Sequence, residues 1–382
     1  VLSYSRFIKQ IALWNSQLPF VQPYYAVKCN PDPTLLHWLY KHNTSFDCAS
    51  TREMSLVKTL FGKQHMGNHV LFANPCKTMS DITYAKNNAI PWVTADSVEE
   101  FVKMDQANYK PEVLLRIAVD DSNSACPFGA KFGLQYSEIE NVANEAKKIK
   151  IPITGLSFHI GSGSEDPHAF RKAVDLSKEV WRMLHKKNLV STFKALDIGG
   201  GWSPEEALFK EQARNANEGL KYGDLPLKTI AEPGRFFAAP THDLYVCVVG
   251  KKPRKDGGWR YTIDESIYGQ FSCIPFDHAK PKIARLRLNP HEAQRRSTRA
   301  ILFGRTCDSL DWIATSECME ELEVGDWLYI PNMGAYTTST STEFNGFPKP
   351  ECIQIEDSPK PYEQIELTNL QFPLASMLSI PS

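Results

Sequence analysis

Residues 24–50 read YYAVKCNPDPTLLHWLYKHNTSFDCAS, and this stretch sets the reading of everything after it. YYAVKC and SFDCAS are short apolar runs of strand type. Between them DPTLLHWLYKHN carries Pro33 in its first turn and apolar residues at helical spacing. The stretch therefore reads strand, helix, strand. Lys28 falls where the first strand runs out, and a buried strand end rarely carries a lysine without a partner or a task.

The alternation continues outward. Strands are predicted at VLFANP (70–75), PWVTAD (91–96), VLLRIAVD (113–120), ITGLSFHI (153–160), ALDIGG (195–200) and KTIAEPG (228–234), with helical segments between most of them. DPHAFRKAVDLSKEVWRMLHKKN (166–188) is one such helix, and STREMSLVKTL (50–60) opens as a capping box, Ser50 with Glu53. Eight strands alternating with helices predict an α/β fold, a closed (β/α)8 TIM-like barrel over 1–238, with a doubly wound open sheet as the competitor.

From 239 to 382 the texture changes to a mostly β C-terminal domain. HDLYVCVVG (242–250), RYTIDESI (260–267), STRAILFGRT (297–306) and DWLYIPNMGAYT (326–337) are strand-like. The basic stretch AKPKIARLRLNPHEAQRRSTR (279–299) lacks aromatics interleaved for base stacking and reads as a solvated loop.

The totals exclude several classes. Lys plus Arg (43) nearly balances Asp plus Glu (44), which argues against a nucleic-acid or polybasic membrane surface. No apolar run approaches the ~18 residues of a membrane span. Nine scattered cysteines without a C-x-x-C pair fit reduced thiols in a cytoplasmic protein. Ten histidines form no HExxH or H-x-H cluster, so no metal site is expected.

Chemistry in such a barrel sits at the C-terminal ends of the strands. There the sequence places Lys28, Asp47, Arg116, His159, Gly199 to Gly201 and Glu232 to Arg235. Singly, a strand-end lysine reads as a snorkelling surface residue, His159 as a satisfied interior histidine and Cys307 as a buried structural cysteine. Together the strand-end residues supply an amine, carboxylates, an arginine and glycine loops whose bare N–H groups suit a phosphate. That inventory fits pyridoxal 5'-phosphate, which needs an amine, a charge partner for its ring nitrogen and a donor-rich phosphate cup.

YYAVKCN, FDCAS, FANPCK, LRIAVDDS, KFG, SFHIGSG, DIGGG, AEPGRFF, FDHA, TCDSLD and VGDWLYIPNMGAYT…FNGF run in one order from about 20 to 347. In these the chain resembles the eukaryotic-type ornithine decarboxylases, pyridoxal-phosphate enzymes of the alanine-racemase-like fold group. The resemblance implies decarboxylation of L-ornithine to putrescine and CO2, the first step of polyamine biosynthesis. It implies that Lys28 holds the cofactor, His159 stacks on its ring and Glu232 pairs with the ring nitrogen. Asp47 and Arg116 would organise the amine side. Ser162, Gly201, Arg235 and Tyr336 would bind the phosphate, with Gly200 and Gly234 shaping the cup.

By the same resemblance, Cys307 would return a proton to Cα, and Asp277 and Asp308 would receive the terminal ammonium of the substrate beside Phe276. Cys307 and Asp308 would come from the other subunit of a homodimer with shared active sites. Relatives acting on diaminopimelate carry Cys-Glu in place of Cys-Asp, and some arginine-preferring relatives carry a longer acid at position 277. Phe276, Arg305 and Ser309 depart from the usual Tyr, Pro and small residue, which leaves substrate choice among ornithine, lysine and arginine open. The amino-terminal end is expected to be short against the family. Two rival readings stand beside this one: a catalytically inactive paralogue that binds antizyme, and an amino-acid racemase. The racemase is disfavoured because Glu232, not an arginine, holds the ring-nitrogen position. Regulation of an active enzyme by antizyme also stays open, since 71–97 resembles the region that regulator contacts.

Overall fold

A computed structural model describes residues 1–126, 129, 131–190, 192–221, 226–287, 292–293, 295–356, 364–366 and 370–372. These fall into two compact units, Ile11–Phe237 and a second formed by Val1–Gln10 with Ala238–Ser382.

The first unit is the closed barrel, and the open-sheet alternative is set aside. Its strands are β1 (Val21–Ala26), β2 (Ser45–Cys48), β3 (Val70–Phe72), β4 (Trp92–Ala95), β5 (Glu112–Arg116), β6 (Ile153–Ser157), β7 (Ala195–Asp197) and β8 (Lys228–Ala231). Each pairs in parallel with the next, and β8 closes on β1 through Thr229↔Val21 and Ala231↔Pro23. Six lie within the apolar runs read from the sequence, while β1 starts three residues before its run and β5 one residue before its own. Tyr24, Leu71, Leu114, Ala195 and Ile230 fill part of the interior as a buried cluster, as expected of a barrel packed by its own side chains.

Local signals set the helices. Asp32 caps Pro33–Lys41 by accepting from Leu35 N at 2.9 Å, with Pro33 in the first turn. Ser50 caps Thr51–Phe61, its Oγ accepting from Glu53 N at 3.3 Å. The reciprocal arm of the expected capping box goes one residue further back: Glu53 accepts from Ala49 N at 2.7 Å rather than from Ser50. An aromatic layer closes part of the outside. Trp14 meets Trp202, Phe209, Phe236 and Phe237 with ring centroids 5.4–5.8 Å apart, and Phe170 stacks on Trp202 at 3.7 Å.

The second unit is a mostly antiparallel eight-stranded sheet. Its strands are β9 (Leu244–Pro253), β10 (Trp259–Ile263), β11 (Ala284–Leu286), β12 (Ser297–Phe303), β13 (Trp312–Glu320), β14 (Trp327–Ile330), β15 (Gln364–Glu366) and β16 (Leu370–Gln371). Their order is β15-β11-β14-β9-β10-β12-β13-β16, in which only β10 and β12 run parallel. Two expectations change here. Residues 1–10 belong to this unit rather than to the barrel, because Leu2 and Ser3 pair in parallel with Gln354 and Ile355 and Arg6 bonds Asp243 at 2.6 Å. The helix Tyr4–Gln17 thus starts in one unit and ends in the other.

The basic stretch is not simply a solvated loop. Arg285 lies in β11 with its side chain 1% exposed, donating to Glu320 Oε1 at 2.9 Å and Oε2 at 3.1 Å, and to Glu292 Oε1 at 3.0 Å. Its flanks, Ile283, Ala284 and Leu286, are buried, so the guanidinium needs the carboxylates that meet it. Residues 288–291 and 294 of that stretch lie outside the described residues.

Candidate active site

The pairing Ala26↔Asp47 sets the ends of β1 and β2 side by side. Just past β1 the chain turns as a single 3₁₀ turn, Val27–Cys29, and this turn presents Lys28. Lys28 Nζ bonds Asp47 Oδ2 at 2.9 Å; the lysine side chain is 39% exposed and the aspartate side chain fully buried. Asp47 Oδ1 is also buried and has no hydrogen-bond partner among the described residues. A buried carboxylate with one oxygen unused is costly, so the site is built to receive a further donor.

At the end of β7, Asp197 Oδ1 accepts from Gly199 N at 2.9 Å and pins the glycine loop. Glu232, just past β8, donates its N–H to Gly199 O at 2.8 Å. Burial pushes the Asp197 carboxyl up to about 7. Burial, then the negative charges of Asp197 and Asp47, push Glu232 well above the usual carboxylate range. Two buried acids so placed favour keeping a proton between them. Asp197 was missed in the sequence reading; the only signal was an acid standing first in DIGGG.

His159 follows β6. Gly161 N donates to its Nδ1 at 2.9 Å, so Nδ1 is an acceptor and the ring proton is on Nε2. Burial, Arg116 and Lys28 push its pKa well below the ordinary value and keep the imidazole neutral. A Cβ on Gly200 would lie 2.6 Å from His159 Nε2 and 2.9 Å from Glu232 O. Only glycine allows that approach. Arg116 ends β5, its guanidinium carbon 5.1 Å from the ring centroid of Phe132 in KFG.

Ser162 lies in a short ribbon, Ser162–Ser164 against Ser124–Cys126, and accepts from Arg235 Nη2 at 2.8 Å. Arg235 opens the helix Arg235–Ala238 directly after Gly234, whose added Cβ would sit 2.9 Å from Cys29 Cβ. Gly201 stands at φ +100° in the loop after β7. A hydroxyl, a guanidinium and bare loop N–H groups form a donor set suited to a phosphate dianion. The barrel therefore brings Lys28, Asp47, Arg116, His159, Ser162, Gly200, Gly201, Glu232, Gly234 and Arg235 onto its C-terminal strand ends and the loops that follow them. With the spare Asp47 oxygen and the glycine cradle, these residues fit pyridoxal phosphate.

The other predicted residues belong to the β unit. Tyr336 follows β14 at φ +53°, a left-handed conformation that is an outlier for so bulky a side chain. Phe276 is 70% exposed and Asp277 half-buried, in the short helix Cys273–Asp277. Cys307 is exposed, which corrects its reading as a buried structural cysteine; its N–H donates to Asn345 Oδ1 at 3.0 Å. Asp308 is held below the usual carboxylate range by the Leu310 N–H, 2.9 Å from Oδ1, and by the Tyr268 hydroxyl on Oδ2. Neither Tyr268 nor Asn345 was foreseen, because both reach the loop across about forty residues of sequence. All nine cysteines are free thiols. Among the described residues no helix is long and apolar enough to cross a membrane.

Comparison with known proteins agrees with this geometry. Residues 4–239 match the family described as "Pyridoxal-dependent decarboxylase, pyridoxal binding domain". The chain is 36% identical over 356 residues to the ornithine decarboxylase of Schizosaccharomyces pombe, covering 91% of this chain and 81% of that protein. It is 38% identical over 357 residues to the chloroplastic ornithine decarboxylase of Nicotiana glutinosa, with the same coverage of 91% and 81%. Among solved structures, the arginine decarboxylase of Paramecium bursaria Chlorella virus bound to agmatine superposes with a TM-score of 0.86 at 35% identity, covering 93% of this chain and 96% of that one.

Proposed function

The chain belongs to the pyridoxal-dependent decarboxylases, and from that premise we propose that it converts L-ornithine to putrescine and CO2 with pyridoxal 5'-phosphate as cofactor. One observation carries the reading: the Lys28 amine, 2.9 Å from a buried Asp47, shares the ends of one set of barrel strands with the buried acid Glu232. When bound, the cofactor supplies an electron sink for the charge left at Cα as CO2 departs.

The remaining work falls to side chains. Lys28 anchors the cofactor and Asp47 orients its amine. Glu232 and Asp197 hold a proton where a ring nitrogen needs one. The neutral face of His159 supports the ring without adding a charge. Ser162, Arg235 and the glycine loops receive the phosphate, and Arg116 stands on the amine side. Cys307 holds the proton destined for Cα, and Asp308 offers a carboxylate to the substrate's terminal ammonium.

Both belong to a second copy of the chain in this reading, a homodimer with shared sites, and the exposure of Cys307 on a single copy supports it. For Tyr336, Phe276, Asp277 and antizyme binding the proposal rests on the motif match, and for a cytoplasmic location on nine free thiols. The resemblance to a viral arginine decarboxylase favours arginine as the second substrate to try. The test is mass spectrometry of the products formed from ornithine, lysine and arginine with pyridoxal 5'-phosphate supplied. Putrescine as the main product is expected; its absence while agmatine or cadaverine forms would overturn the substrate assignment.

A further inference from the structure

We propose that Arg305 and Asn345 are positioning residues that clamp the Cys307–Asp308 loop to the turn at 344–348. The inference rests on the reading of Cys307 as the proton donor and adds how its loop is held.

The stem of the loop is tied from within the sheet. Asp311 Oδ2 accepts from Thr306 N at 2.9 Å and from Thr306 Oγ1 at 2.6 Å, while its Oδ1 accepts from Ile267 N at 2.9 Å. The tip lies beyond that anchor, and Cys307, Ser309 and Leu310 are all exposed. Two long-range contacts reach it. Asn345 Oδ1 takes the Cys307 N–H at 3.0 Å, and the Tyr268 hydroxyl takes Asp308.

Both contacts depend on the turn. Tyr268 packs against Phe344 with centroids 4.5 Å apart and the rings tilted by 31°, and its carbonyl accepts from Thr342 N at 2.8 Å. Asn345 is itself at φ +58°, a conformation that asparagine tolerates far better than most residues. Arg305 fastens the far side. Its guanidinium carbon lies 4.2 Å from the Phe347 ring centroid, and Nη2 reaches Pro348 O at 3.4 Å. Its own N–H is fixed to Glu265 O at 3.1 Å. A guanidinium over a ring is a contact that a lysine does not reproduce in kind. Two residues before the thiol, Arg305 therefore grips the turn whose Asn345 grips the thiol's own peptide.

The experiment uses the full chain and two readouts. Hydrogen exchange at the Cys307 amide, with and without pyridoxal 5'-phosphate, reports the clamp. The ratio of putrescine to 4-aminobutanal reports its consequence, since a proton placed on the cofactor carbon instead of Cα would leave the α-nitrogen on the cofactor as pyridoxamine phosphate while water releases the aldehyde. Asn345→Gly keeps the left-handed backbone and removes the acceptor; Asn345→Asp restores an acceptor. We expect Asn345→Gly to speed exchange roughly fivefold to tenfold and to move the product ratio in the direction of Cys307→Ala. Asn345→Asp should stay near the parent, and Arg305→Lys should fall between.

Parental exchange in a folded Asn345→Gly would overturn the clamp. Faster exchange with an unmoved ratio, where Cys307→Ala does move it, would overturn the positioning role. If Cys307→Ala leaves the ratio unmoved, the reading of Cys307 fails instead, while exchange still decides the clamp.

Discussion

The mouth of the barrel and the 304–311 loop of the β unit carry the two halves of the proposed chemistry, and they are built on opposite plans. In the barrel, Asp47, Asp197 and Glu232 are buried on or just past parallel strands whose register leaves little freedom. In the loop, Cys307 is exposed and its neighbours are fixed by contacts from distant turns. A buried site tunes charge by desolvation, as the raised Asp197 and Glu232 demonstrate. An exposed loop has only local hydrogen bonds to use, as Asp308 demonstrates. In the proposed reading most cofactor contacts fall within the barrel unit, Tyr336 excepted, whereas the proton donor and the substrate carboxylates belong to the β unit.

The sharpest way to break this contrast is at the barrel. Lys28→Ala removes the anchor and should cut putrescine formation at least about a thousandfold; turnover within tenfold of the parent would take the amine out of the scheme. Next comes the loop. Cys307→Ala should lower putrescine formation about a hundredfold while CO2 release falls less, measured as the ratio of the two products; an unchanged ratio would remove the thiol from proton delivery.

A smaller effect is expected at substrate choice. Asp277→Glu should shift the relative rates on ornithine, lysine and arginine by about tenfold, and identical relative rates would reject that residue as a selector. The smallest effect isolates the buried acids. Folded, Asp197 and Glu232 keep protons to higher pH than when unfolded. Between pH 3.8 and about 7 the folded chain then binds more protons, and its stability falls as pH rises through that window. Urea midpoints of cofactor-free protein should fall accordingly, and Asp197→Asn should flatten the trend by roughly a few tenths molar.

The sequence shows the barrel clearly because its signal is local. Each strand is a short apolar run, and each strand-end residue is found by counting to where the run stops. Lys28 and Glu232 are legible for that reason. Asp197 was passed over because its importance comes from Glu232, a neighbour across the sheet. Legibility drops in the β unit. The burial of Arg285 depends on Glu320 and Glu292, and periodicity does not reveal a partner thirty-five residues away. Asn345 and Tyr268 fail the same test: nothing near either residue marks it as a support for the 304–311 loop.

The division of the chain also has a mechanical side. Residues 1–10 and the segment from 238 onward share one unit, so the barrel is an insertion between two stretches of a single sheet-rich body. Tension applied between Leu2 and Gln354, which pair in parallel, would load that body first, with the barrel bearing load only after the two segments have separated. In an optical trap the β unit should rupture before the barrel extends.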